Sequence, residues 1–212
     1  MDHSITSRGI FELLNLVGTF AFAVSGVMKA IEKEYDLFGI LVLAFVTAIG
    51  GGTIRDLLLG ISPVAWLNDN RVIYTIFIAT ATSTVFFSLV SKVQRWLTFF
   101  DAIGLAIFTI IGINRGIEKE FNEMICITLG TLTGTFGGVI RDVLSGDKPL
   151  LFRKEIYALA CIIGGSLYFF ARKMGILTHI SEVLCIVIIV TIRMLSVRYN
   201  ISLPIVRQPQ QK

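Results

Sequence analysis

Apolar and polar residues alternate along this chain in whole segments rather than single positions. Seven apolar runs, near 11–28, 37–59, 72–90, 97–113, 124–144, 156–171 and 183–197, are separated by short polar joints. A helix needs about 20 residues to cross a hydrocarbon core, and these runs approach or reach that length. The pattern predicts an all-α, polytopic membrane protein of seven transmembrane helices. It forms a single transmembrane domain over residues 1–199, followed by a disordered polar tail at 200–212.

Composition strengthens this reading. Hydrophobic residues make up 54% of the chain and charged residues only 16%, with a mean hydropathy of +0.78. A soluble domain carries about 25% charged residues and could not hide so much apolar surface in one core. The basic residues gather at segment ends instead of striping one face, which suits lipid headgroups and argues against nucleic acid.

The chain is also written twice. Residues 18–63 match residues 104–149 at a constant offset of 86, with 17 of 46 positions identical; chance would give roughly three or four. Each unit holds three spans, the first over about 11–90 and the second over about 97–172, and the seventh helix at 183–199 stands outside. Successive helices alternate direction, so an odd number of spans makes the second unit enter from the opposite side. Two inverted three-helix repeats are therefore expected. Lysines and arginines number six on the N-terminal side and ten on the other, which predicts an external N-terminus and a cytoplasmic C-terminus.

The repeated sequence that carries chemistry lies in the second and fifth spans. Thr47 leads to Gly50-Gly51-Gly52-Thr53-Ile54-Arg55-Asp56, and Thr133 leads to Phe136-Gly137-Gly138-Val139-Ile140-Arg141-Asp142. Adjacent glycines cost a helix about 1 kcal/mol each relative to alanine, and they predict kinking or unwinding. Freed carbonyls would then face protein or water, with Thr47, Thr53, Thr133 and Thr135 adding polar groups. An arginine near the middle of a span costs at least about 2.5–3.5 kcal/mol on insertion scales. Helix neighbours do not face each other, so Arg55 and Arg141 are expected to pair across helices, with Asn15 and Asp101 as equivalent partners. Against this stands the plainer reading, in which the glycines serve packing and Arg-Asp merely stops a helix before Gly60 or Gly146. Two copies brought together favour a permeation pathway.

Other polar features read more simply. Lys29 and Arg115 look like snorkelling anchors, Arg193 like an interface residue, and the Glu-Lys-Glu blocks at 32–34 and 118–120 like solvated joints. Trp66 and Trp96 suit the membrane interface. Cys126, Cys161 and Cys185 read as buried small hydrophobes. His3 and His179 lack ligand spacing, and no set of residues suggests an enzyme, a metal site or a nucleotide site.

The doubled Gly-Gly-(Thr/Val)-Ile-Arg-Asp motif, the two three-span units and the seventh span resemble the trimeric intracellular cation channels, specifically their prokaryotic branch. Bacterial relatives of that family are also catalogued as putative glycine transporters. The resemblance implies a homotrimer in the inner membrane of a prokaryote, with a pore inside each protomer between the second and fifth helices. The pore would pass potassium and sodium passively, without a resident cofactor, and the partners would be further copies of the chain and membrane lipids. Carried over by motif, Thr47, Gly50, Gly51, Gly52, Thr53, Arg55, Asp56, Asp101, Thr133, Phe136, Gly137, Gly138, Arg141 and Asp142 become the lining or gating residues. Phe136 stands where the first copy has Gly50. The competing reading is a carrier for a small amino acid such as glycine.

Overall fold

Matched capping signals start and stop the helices at equivalent places in the two units. Asp36 accepts the Gly39 N–H at 2.7 Å and Asn122 accepts the Ile125 N–H at 3.0 Å, each satisfying an orphan donor of a first turn. The helices they cap run Leu37–Leu58 (α2) and Glu123–Leu144 (α5), both 22 residues. Each ends in the same double turn. Gly60 N–H bonds the Leu57 carbonyl and Ile61 N–H the Asp56 carbonyl, as Gly146 bonds Val143 and Asp147 bonds Asp142. This motif needs a left-handed residue, supplied by Gly60 at φ +66° and Gly146 at φ +73°.

The computed structural model describes residues 2–87, 93–152 and 156–201, and the part of the predicted 200–212 tail beyond residue 201 lies outside them. The other helices are α1 (Asp2–Glu32), α3 (Asn70–Phe87), α4 (Val93–Glu118), α6 (Ala158–Lys173) and α7 (Thr178–Arg198). A short 3-10 turn, Ala65–Asn68, precedes α3, and another, Leu150–Phe152, precedes α6. Among the described residues all regular structure is helical. Among the described residues five helices are long and apolar enough to cross a membrane: α1 from Gly9, α2, α4 from Gln94, α5 and α7. Twenty-two residues span about 33 Å, against a hydrocarbon core of about 30 Å. The 16 residues of α6 span about 24 Å.

α1 and α4 pass through the middle of the molecule. Their equivalent rings Phe22 and Phe108 stack with centroids 5.2 Å apart and planes 7° from parallel. One core gathers on α1, α2, α3 and α4, and a second joins α4 to α6 and α7. The outside stays apolar: Leu37, Phe38, Val85 and Met124 are all at least 70% exposed, as lipid-facing side chains would be. Cys126, Cys161 and Cys185 are buried and free, as their apolar settings suggested.

α1 and α4 run on past the polar joints expected at 29 and 114, ending only at Glu32 and Glu118. Lysine, glutamate and alanine are good helix formers, and their charge alone does not end a helix. The chain turns two residues later, where Glu34 and Glu120 adopt φ +56° and +58°. A left-handed non-glycine residue costs about 1–2 kcal/mol, so Glu34→Gly and Glu120→Gly are each expected to stabilise the protein by about 0.5–1 kcal/mol. A rise in the thermal unfolding midpoint of purified protein in detergent would register it, and a fall would contradict it.

Candidate functional site

α2 and α5 cross at their glycines, and the crossing is reciprocal. A Cβ on Gly51 would run into the Thr133 carbonyl, and one on Gly137 would sit 2.5 Å from the Thr47 carbonyl. Residues 47 and 51 correspond to 133 and 137 under the 86-residue offset. The missing side chains let two backbones touch. Both helices stay continuously α-helical through this stretch, so the expected unwinding does not occur: glycine's small volume is used for approach rather than for its backbone freedom. Gly50 belongs to the same contact, since a Cβ there would meet Ile140 Cδ1 at 2.6 Å. Phe136, the counterpart of Gly50, is half-buried.

The threonines of the motif are bonded within their own helices. Thr47 and Thr133 are fully buried, and their hydroxyls donate to the carbonyls of Leu43 and Leu129, at 2.5 and 2.7 Å. Thr135 donates likewise to Thr131. Thr53 donates to Ile49 and accepts the Trp66 indole N–H at 3.1 Å.

One turn beyond the crossing, each arginine is clamped by the aspartate next to it. Arg55 Nε and Nη2 both donate to Asp56 Oδ1, at 2.9 and 2.7 Å. The other Asp56 oxygen accepts the Ala65 N–H at 2.8 Å, tying the following loop to the helix end. In the second copy Arg141 Nε donates to Asp142 Oδ1 at 2.9 Å and Leu150 N–H to Asp142 Oδ2 at 2.9 Å. The expectation that sequence neighbours would not pair fails here, because a long arginine at a helix end can curl back over the adjacent carboxylate.

The copies then diverge. Arg141 is fully buried and donates through Nη1 to Asp101 Oδ1 at 2.6 Å and to Ser25 Oγ at 2.8 Å. The Tyr157 hydroxyl donates to the same Asp101 oxygen at 3.3 Å. Arg193 lies over the Tyr157 ring at 4.6 Å and donates to the Ile156 carbonyl. It is therefore a buried prop of this network and not an interface anchor. Asp101 thus partners Arg141 as expected, whereas Arg55 takes Asp56, and Asn15 lines the cavity beside it.

That cavity has a volume of about 1190 Å³ and opens at the end of the molecule where α1, α3 and α7 begin and α2, α4 and α6 end. Gly52, Arg55 and Asp56 lie in its wall with Asn15, Thr19, Trp66 and Arg115. Arg115 pairs with Glu118 at 2.7 Å and caps the Phe11 ring at 4.9 Å. On the α7 side Glu182 accepts from Asn114 at 2.7 Å and lies 3.3 Å from His179 Nδ1. Six carboxylates (Glu12, Asp56, Asp69, Glu118, Glu120, Glu182) face four arginines (55, 71, 115, 172) around the wall.

Toward the opposite end lies a pocket of about 40 Å³, lined by Lys29, Gln94, Leu97, Thr98, Arg141, Asp142 and Leu150. Lys29 is buried there rather than snorkelling, bridged to Asp147 and to Glu32. Lys33 bonds the other Asp147 oxygen at 2.6 Å. Hydrogen bonds from Lys29 and then Lys33 pull the Asp147 carboxyl from its ordinary 3.8 down to about 2, and Asp147 in turn raises Lys33. Because the folded value is depressed, this pairing is lost only as pH falls toward about 2.

Of the motif residues, Gly52, Arg55 and Asp56 reach the large cavity and Arg141 and Asp142 the small one. Thr47, Thr133, Gly51 and Gly137 form the packed crossing between them. Sequence reasoning missed Ser25, Tyr157, Glu182 and Asp147. Asp147 lies opposite Ile61 under the offset, so a search for repeated identities passes over it.

A sequence-family model described as glycine transporter matches residues 12–89 and 98–173. A membrane protein of Vibrio cholerae, named UPF0126 membrane protein, is 41% identical over 91% of this chain and 81% of its own length. The Escherichia coli inner membrane protein YadS is 38% identical over 90% of this chain and 93% of its own. The crystal structure of the trimeric intracellular cation channel orthologue from Rhodobacter sphaeroides superposes with a TM-score of 0.85 at 30% identity, covering 91% of this chain and 99% of that one. These are membrane proteins, with the family model described as a transporter and the Rhodobacter structure as a channel, and not enzymes. The chain therefore belongs to the bacterial membrane-protein family described as glycine transporter, and it carries the fold of the prokaryotic trimeric intracellular cation channels.

Proposed function

We propose that this chain is a channel that passes monovalent cations, potassium and sodium, through each copy of a membrane-embedded homotrimer. The observation that carries the reading is the charge around the large cavity, where six carboxylates outnumber four arginines. A concave, low-dielectric wall of net negative charge concentrates cations at its mouth. Arg55 at the base does not reverse this, because Asp56 takes two of its donors. The Rhodobacter neighbour, named a cation channel, supports the same conclusion.

The path runs from the open cavity past Gly52 and Arg55, alongside the α2–α5 crossing, to Arg141 and Asp142. Helix ends alternate around the cavity, beginnings of α1, α3 and α7 with ends of α2, α4 and α6, which supports seven spans and two units inserted in opposite senses. On the loop-charge reading the open cavity faces outward and the small pocket faces the cytoplasm. Backbone packing at the crossing makes this a non-conducting conformation, so conduction requires α2 and α5 to shift.

Purified protein in planar bilayers under a roughly tenfold KCl gradient should reverse near the potassium equilibrium potential. Glu118→Gln should lower the potassium-to-chloride permeability ratio by about twofold and Arg115→Gln should raise it by about as much, both most visibly at low salt. Reversal near the chloride potential, or the same shift for both variants, would refute the proposal. The family description favours a second reading, a glycine carrier using an arginine at the base of a one-sided cavity to hold a carboxylate. Saturable glycine uptake into proteoliposomes without unitary currents would establish it instead.

A further inference from the structure

The carboxylates around the large cavity are not equally matched by its arginines. Arg55 holds Asp56, Arg71 holds Glu12 and Asp69, and Arg115 holds Glu118. Glu182 is treated differently. It is only 8% exposed, and among the described residues its carboxylate meets an amide and an imidazole. Asn114 Nδ2 donates to Oε1 at 2.7 Å, and His179 Nδ1 lies 3.3 Å from Oε2. A buried carboxylate ordinarily takes a full cation as its partner. Here the partner is the side-chain type that gains its charge between pH 5 and 8.

The surroundings leave that proton to His179. α7 packs on α4 and α6. From α4, Arg115 and Glu118 satisfy each other. Glu120, in the turn after α4, is exposed to solvent. From α6, the Arg172 guanidinium donates to the Ile176 carbonyl, and Lys173 turns away to Glu123 on α5. Tyr168, on the same helix, is a phenol and stays neutral in this range. His179 itself is half exposed in the cavity wall, where water can deliver the proton.

We infer that His179 and Glu182 form a proton-binding site that sets how strongly the cavity attracts cations. The protonated ring carries N–H on both nitrogens, and the one on Nδ1 donates to Glu182 as a charge-assisted bond. The excess of two negative charges around the wall then falls to one. Local cation concentration follows that excess, so acid weakens the preference for cations. The site is one-sided. α7 stands outside the duplication, and Asn114 lies opposite Met28 under the offset. At the other end the Asp147 pairing is lost only as pH falls toward about 2. This inference rests on the proposed cation conduction, but the potential of the cavity can be measured without any current.

Asn15 lines the same cavity, and Asn15→Cys places a thiol there without changing its charge balance. Its rates with a cationic and an anionic thiosulfonate reagent are measured on purified protein at low salt, each relative to a free thiol. Thiol ionisation cancels in the ratio of the two rates, which reports the local potential. His3→Gln in every protein removes the other histidine, and the three native cysteines are buried. The cationic-to-anionic ratio should exceed one at about pH 8 and fall about fourfold by about pH 5.5, twofold from each reagent. His179→Gln should keep the ratio high at both, and His179→Arg, a fixed charge beside Glu182, should keep it low. In planar bilayers, acidifying the chamber that the cavity faces should cut the potassium-to-chloride permeability ratio about twofold, and acidifying the other chamber should not.

A reagent ratio that ignores pH, or that falls equally in His179→Gln, overturns the proton site even where cation currents are intact. Should His179→Gln not fold, the same fall in His179→Arg as in the parent overturns it. A pH-dependent ratio that is lost in His179→Gln, without cation current at any pH, upholds the site and refutes conduction. A ratio below one at about pH 8 defeats the attraction for cations and the proton site with it.

Discussion

Gly51→Ala is expected to yield no folded protein, while Gly52→Ala, one residue along the same triplet, is expected to be tolerated or mildly stabilising. The added methyl at residue 51 would overlap the backbone carbonyl of Thr133, and the next atoms around it are also main chain. A flexible side chain can step aside, but a carbonyl inside a continuous helix moves only if α2 and α5 separate. That separation would undo the reciprocal contact of Gly137 with Thr47, so the two halves of the crossing fail together. Ordinary overpacking costs about 1–3 kcal/mol; with backbone on both sides the cost here should exceed about 4 kcal/mol, which few proteins survive. At residue 52 the nearest group to a new Cβ is Arg55 Nη2 at 3.7 Å, an ordinary contact. Alanine there gains up to about 1 kcal/mol of helix propensity. Monodisperse yield after detergent extraction, followed by thermal unfolding, separates the outcomes. Equal tolerance at both positions would mean that the helices do not meet as described.

Periodic and repeated features of the chain carried most of the fold. Among the described residues the seven apolar runs became seven helices, and the doubled Gly60/Gly146 stops became matching left-handed ends, whereas the Asp36/Asn122 caps went unread. A helix stop is local chemistry, so a few residues suffice to read it. The glycine-arginine motif was legible as special, but its use was not. Whether Gly51 unwinds a helix or admits a neighbour depends on what lies 86 residues away, and nothing in the triplet encodes that. The partners of the arginines show the same limit. Asp101 could be proposed from the offset, but Ser25 breaks the repeat, facing Ile111 under the offset, and Tyr157 matches Arg71. Arg193 comes from the helix that has no counterpart at all. Asymmetry between duplicated halves lives at the positions that differ, and identity counting is blind to those.

That asymmetry fixes the second large effect: Arg141→Met should destabilise the protein by about 3–5 kcal/mol, and Arg55→Met by no more than about 1–2 kcal/mol. Both arginines are buried, and a buried ion pair is weak evidence of stability when whole. Breaking one is costly because a carboxylate is stranded. Removing Arg141 strands Asp101, which has no exposure, and leaves Asp142, 3% exposed, with the Leu150 N–H on its second oxygen. It also takes the donor from Ser25, and the Tyr157 hydroxyl alone then faces Asp101 Oδ1. Removing Arg55 leaves Asp56, whose second oxygen keeps the Ala65 N–H and which borders a cavity of about 1190 Å³. Water and cations entering that cavity can solvate it. Thermal unfolding of the two variants in the same detergent gives the comparison. Adding Asp101→Leu to Arg141→Met should recover about 1–2 kcal/mol, since the stranded charge goes with it. Equal losses for the two single variants, or no recovery in the double, would show that Arg141 is held by packing alone and that the two ends of the molecule are electrostatically alike.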